Sequence, residues 1–176
     1  MKKNHVWYIL LVIMVIGSLF LPGNRFSENK QLSPEKINEF MKKAAGYYAE
    51  GDYEGAITFY TKAADCGNAW GQNNLAWILA TVEVVEFRDG ELAVQYARKA
   101  VEQEPENAAF VRTLAAAYAR DEQFDKAIEA QQRVIELLET NTTYTDDFKE
   151  FLRKDHQEKI RLYRNHQAYM DEKEDE

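Results

Sequence analysis

The sequence predicts an all-α fold, a solenoid of helical hairpins, and three observations carry that prediction. A small residue recurs at Ala56, Ala93 and Ala127, with spacings of 37 and 34 residues, and an aromatic or Gln is expected four residues on, with Ala or Val three residues later. The segments ahead of these repeat too, placing Ala44, Ala76 and Ala115 three residues before Tyr47, Leu79 and Tyr118. A polar turn separates the two halves of each unit, as in "AEGDYEGAITFYTKAA" over 49–64 and "ARDEQFDKAIEAQQRVI" over 119–135. Alanine suits a helix crossing, because a small side chain lets two backbones approach and leaves larger neighbours to fill the space beside it.

A period near 34 built from paired helices resembles the tetratricopeptide repeat. Ala44, Tyr47, Gly51, Ala56, Tyr60 and Ala63 match the first unit of that family's pattern. Leu75, Ala76, Leu79, Ala93, Ala100 and Pro105 match the second, and Leu114, Ala115, Tyr118, Phe124, Ala127 and Val134 the third. The resemblance covers about residues 35–139, as units over 35–68, 69–106 and 107–139. There are departures. "AADCGNAWGQNNLAW" lacks the family's loop proline and looks like the turn of Sel-like repeats. "TVEVVEFRDG" adds about five residues to the second unit, and Gln131 stands where a large aromatic is expected. The combination is similar to repeats of bacterial envelope and signalling proteins. The resemblance implies a protein that binds other proteins and has no turnover of its own.

Each element follows in order. "MKKNHVWYILLVIMVIGSLFLPGNR" opens the chain with two lysines and an uncharged run from Val6 to Leu21. As a helix that run rises about 24 Å, a little short of a bilayer core of roughly 30 Å, and flanking cations can snorkel across the difference. We read residues 1–23 as a signal anchor or transmembrane helix, with a cleaved signal peptide as the alternative. Lysines held inside would export the rest of the chain, which in a bacterium places the repeats on the periplasmic face of the inner membrane. Residues 24–33 read as a polar tether. Ser33-Pro34 marks a helix start, and Asp89 caps a helix expected over Gly90–Gln103 with Pro105 beyond it. After the polar "ETNTTYTDD", helical spacing of Phe148, Phe151, Leu152, Ile160, Tyr163 and Met170 predicts a long capping helix, assigned to 140–170. Residues 171–176, "DEKEDE", form an acidic tail.

Charge narrows the partners. The net charge is −8, and beyond residue 30 it becomes −11, from 18 basic and 29 acidic residues. Such a surface repels nucleic acid, so a neutral to basic protein partner is expected. A single cysteine, Cys66, excludes an intrachain disulfide and reads as a small, semi-buried residue near a helix end. No P-loop, nucleophile elbow or metal-ligand spacing is present. His156 and His166, ten residues apart on one helix, would point about 80° from each other and read as surface residues. Neither enzyme activity nor a cofactor nor a metal is expected.

In the family's register the first helix of each pair lines a concave groove. That places Asn38, Met41, Ala45 and Tyr48 there from the first unit, and Trp70, Asn73, Trp77 and Thr81 from the second. The third supplies Ala109, Arg112, Ala116 and Arg120. From these the candidate protein-binding residues are Met41, Tyr48, Trp70, Asn73, Trp77, Arg112 and Arg120, with Trp77 alternatively wedged between repeats. An apolar peptide whose carboxylate meets the arginines suits such a groove. Met41 and Ala45 occupy the places where the family's two-carboxylate clamp needs lysine and asparagine, so that clamp is not expected. The function implied is an adaptor or assembly factor at the cell envelope. A homo-oligomeric component, or an accessory subunit of an envelope enzyme or secretion complex, is the alternative.

Overall fold

The computed structural model describes residues 32–170. The expected anchor over 1–23, all but the end of the tether, and the acidic tail lie outside the described residues. Among the described residues no helix is long and apolar enough to cross a membrane.

Three helical hairpins and one further helix follow one another. They are α1 (Pro34–Glu50) with α2 (Tyr53–Asp65), α3 (Ala69–Thr81) with α4 (Gly90–Gln103), α5 (Ala108–Arg120) with α6 (Phe124–Thr140), and α7 (Asp146–Arg164). Polar side chains start them. Ser33, Asp52, Asn68, Asp89, Asn107 and Thr145 each accept a backbone N–H of the first turn, each cap being worth about 1 kcal/mol. Gly51 ends α1 in the left-handed conformation at φ 80°, a backbone only glycine adopts without strain. The equivalent turn of the third hairpin forces the same region on Glu122, at φ 59°.

Packing follows the alanine pattern. Ala44, Ala56, Ala76, Ala93, Ala115 and Ala127 are all 0 % exposed, one at every helix crossing. Each helix packs on its hairpin partner, and α3 also packs against α5, so successive hairpins stack. At the next buried position stand Tyr60, Ala97 and Gln131. In the second unit the position four residues after Ala93 therefore holds Ala97 and not the expected aromatic or Gln, while Tyr96 lies to the side, its hydroxyl 3.2 Å from Asp65 Oδ1. The insertion in the second unit forms a short 3-10 turn (Val85–Phe87). Arg88 holds this loop, its Nε donating to the Val82 carbonyl at 2.7 Å.

Three features differ from the sequence expectation. α7 ends at Arg164, because His166 turns left-handed at φ 57° and the amides of Asn165 to Gln167 fold back onto its last carbonyls. His156 is not a surface residue: it is 4 % exposed, and Gln131 Nε2 lies 2.5 Å from its Nδ1. Gln131 thus replaces an aromatic with a polar group that α7 is built to meet. Cys66, expected to be semi-buried, is exposed at the C-terminal cap of α2.

Candidate peptide-binding cleft

The first helices of the hairpins enclose a cleft of about 380 Å³ together with α7 and the segment that follows it. Tyr48 reaches it from α1, Tyr60 from α2, Asn74, Trp77 and Ile78 from α3, Arg112 from α5, Lys159 from α7, and Tyr169 from beyond α7. Trp77 comes one residue after the fully buried Ala76, so the helical turn of about 100° per residue carries its indole off the packing seam. The Arg112 guanidinium then lies 4.8 Å from the indole centroid. A cation over an indole face is worth about 0.5–2 kcal/mol and keeps both side chains in one place.

The expected groove residues divide into three groups. Tyr48, Trp77 and Arg112 meet in the cleft. Arg120 sits beside it, but its guanidinium serves the fold: Nε donates to the Ala80 carbonyl at 2.6 Å, and Nη2 to the Tyr169 carbonyl at 3.5 Å. Burial, and secondarily the nearby Arg88, lowers the pKa of this arginine. The rest lie elsewhere. Met41 packs against the main core cluster, and Trp70 is 48 % exposed with its ring edge-on to Phe110, centroids 4.7 Å apart. Asn73 is buried; its Nδ2 donates to Asn74 Oδ1 at 3.1 Å while its Oδ1 has no hydrogen-bond partner among the described residues. Thr81 and Ala116 are buried too, Thr81 donating to the Trp77 carbonyl at 2.8 Å. Asn38 and Ala45 are exposed on α1, and Ala109 lines a second hollow of about 200 Å³ with Val134, Leu138, Phe148 and Leu152, which shares Arg112 with the cleft.

Sequence reasoning placed neither Tyr60, Asn74 and Ile78 nor, from the far end of the chain, Lys159 and Tyr169 in the cleft. Lys159 is 7 % exposed, paired with Asp155 Oδ2 at 2.5 Å, and its Nζ lies 4.7 Å from the centroid of the Tyr169 ring. Tyr169 in turn lies 6.0 Å from Trp77, centroid to centroid. The only sequence signal was the apolar Ala168–Met170 between the polar Asn165–Gln167 and the acidic tail. The chain is acidic overall, while Arg112 and Lys159 line the cleft, Lys159 with Asp155 as its ion-pair partner. Electrostatic selection acts at the site through its own charges, over about a Debye length, and not through the chain average.

Chemically the cleft offers stacking faces, a guanidinium and an ammonium. That set retains an aromatic or apolar side chain and an acceptor oxygen beside it.

No family model matches this sequence, and no curated protein matches it. Solved structures do. The chain is similar to the TPR2B domain in the TPR2B-domain:pHsp70 complex of yeast Sti1, with a TM-score of 0.56, 20% identity, and coverage of 71% of this chain and 98% of that one. It is similar to the first TPR domain of human RPAP3, with a TM-score of 0.57, 19% identity, and coverage of 76% and 98%. It is likewise similar to the Sgt2 TPR domain from Aspergillus fumigatus, with a TM-score of 0.55, 21% identity, and coverage of 82% and 91%. At these identities the likeness concerns the fold: a tetratricopeptide-type solenoid, all helical over the described residues.

Proposed function

We propose that this chain is a non-catalytic protein-binding module that holds a short segment of another protein in the cleft beneath Tyr48, Trp77 and Arg112. The observation that carries the reading is the Arg112–Trp77 pair, a cation 4.8 Å over an indole at the mouth of a cleft bounded by the first helices. Trp, Tyr and Arg supply most of the energy at protein interfaces, because they combine large contact area with directed donors. The yeast Sti1 domain of the same fold, solved as a complex with pHsp70, supports a binding role by analogy of fold alone.

We further read the module as an adaptor or assembly factor tethered at a cell envelope. The support is in the sequence: Lys2 and Lys3 precede the uncharged Val6–Leu21. Carbonate extraction of membranes tests this directly. Release of the full-length chain into the soluble fraction would rule out an anchor.

The cleft is tested by in-cell crosslinking of the C-terminally tagged full-length chain, with captured proteins identified by mass spectrometry. Arg112→Glu is compared with wild type, since Arg112 is exposed and its reversal leaves the core intact. One protein captured by the wild type and lost in the variant is the expected result. Equal capture by both would sink the assignment of the cleft, and self-crosslinks alone would identify a homo-oligomer.

A further inference from the structure

One wall of the cleft is the segment that follows α7. Beyond α7 the backbone reverses at His166, φ 57°, with the His166 ring stacked on Phe124 at 4.9 Å and the Gln167 amide donating to the Leu162 carbonyl at 3.0 Å. From there residues 167–170 run without helix or strand. Tyr169 enters between Trp77 and Lys159, its carbonyl accepting from Arg120. Met170, 41 % exposed, places Sδ 3.4 Å from Arg88 Nη2 in the loop after α3. A segment outside any helix, with its aromatic ring beside the cleft's tryptophan and its main chain on an arginine, has the layout of a bound peptide.

We infer that residues 167–170 are an intramolecular cover over part of the cleft surface formed by Trp77, Arg120 and Lys159, standing in for a partner segment of the same chemistry: an aromatic residue, then an apolar one, in backbone that is neither helix nor strand and followed in sequence by acids. The inference rests on the reading of the cleft as the partner site. Charge favours this sequence of features. Arg88, Arg112, Arg120 and Lys159 gather around Tyr169 and Met170, and the chain continues from Met170 as "DEKEDE". A tether of a few residues gives the segment a millimolar effective concentration, so weak contacts keep it in place. A partner then binds only the fraction of molecules whose cleft is open, and its apparent affinity falls by that fraction.

The test uses the full-length chain and a labelled synthetic peptide of residues 165–176, followed by fluorescence anisotropy. Tyr169→Ala should bind the peptide at least tenfold more tightly than wild type. Adding Arg112→Glu, or replacing the tyrosine of the peptide by alanine, should remove that binding. Equal affinity for wild type and Tyr169→Ala, or no binding to either, would overturn the inference. Thermal melting of Tyr169→Ala is read alongside, and Met170→Ser serves as a second, milder variant. A lowered Tm without any gain in peptide binding means that Tyr169 is ordinary core, and this too overturns it. Failure of the cleft reading looks different: peptide binding is gained, while crosslinked capture of the partner ignores Arg112→Glu.

Discussion

Arg120 Nε donates to the Ala80 carbonyl oxygen at 2.6 Å, joining the last turn of α5 to the last turn of α3 across two successive hairpins. Ala80 is 0 % exposed, so its carbonyl lies where water has little access, and a charged donor to such an acceptor is worth about 1.5–3 kcal/mol. Arg120→Met keeps the stem and removes the donor. It should lower stability by about 2 kcal/mol in chemical denaturation. An unchanged midpoint would show that the bond contributes nothing to the stacking of hairpins.

Gly71 and Gly46 should respond in opposite ways to alanine. A Cβ at Gly71 would stand 2.8 Å from Ala63 Cβ and 3.0 Å from the Ala64 amide nitrogen, because α3 lies directly on α2 there. Such overpacking costs about 1–3 kcal/mol. At Gly46, on the exposed side of α1, a Cβ meets nothing within 4 Å, and alanine gains about 0.5–1 kcal/mol of helix propensity. Melting curves of the two variants should move apart from wild type in opposite directions.

The turn between α5 and α6 holds Glu122 at φ 59°, where the first hairpin has Gly51 at φ 80°. A non-glycine residue in that region carries about 1–2 kcal/mol of strain. Glu122→Gly should therefore leave stability unchanged or raise it by about 1 kcal/mol, while Gly51→Ala lowers it by a similar amount. A clear loss of stability in Glu122→Gly would mean that the glutamate side chain contributes more than its backbone costs.

His156 makes stability depend on pH in a defined direction. Burial first, then the charges of Lys159 and Arg112 against the opposing Asp155, push its pKa down from 6.5 to about 4. The unfolded chain thus takes up a proton at higher pH than the folded one. Stability is fully present above pH 6.5 and declines as pH falls toward about 4, with a slope approaching about one proton. Carboxylates such as Glu39, held at about 2 by Lys36 and Lys43, weaken the fold only at lower pH as they are protonated. His156→Leu should abolish the slope between pH 6.5 and 4.5 whatever it does to stability at neutral pH. Persistence of the slope would assign it to another group.

Much of the fold was legible because its signals are local. Caps such as Asp89, the turn at Gly51 and the recurring alanines each act within one hairpin, so spacing along the chain reports them. The helix Gly90–Gln103 could be delimited from its capping aspartate and the proline beyond it. The end of α7 was harder to see. Apolar residues at helical spacing continue to Met170, and only the left-handed turn at His166 shows that the last of them leave the helix.

The sequence by itself determined an all-α repeat with alanine at every crossing, an acidic chain, and a tyrosine, a tryptophan and an arginine at groove positions. Tertiary structure decided what those groove residues do. Trp77 and Arg112 meet only because α3 and α5 pack side by side, whereas Arg120 is claimed by the Ala80 carbonyl and Asn73 by the interior. Lys159 and Tyr169 join the cleft from the far end of the chain. Those contacts span many tens of residues, so no periodicity records them. They exist once the hairpins have stacked and brought α7 and the residues after it across the first helices.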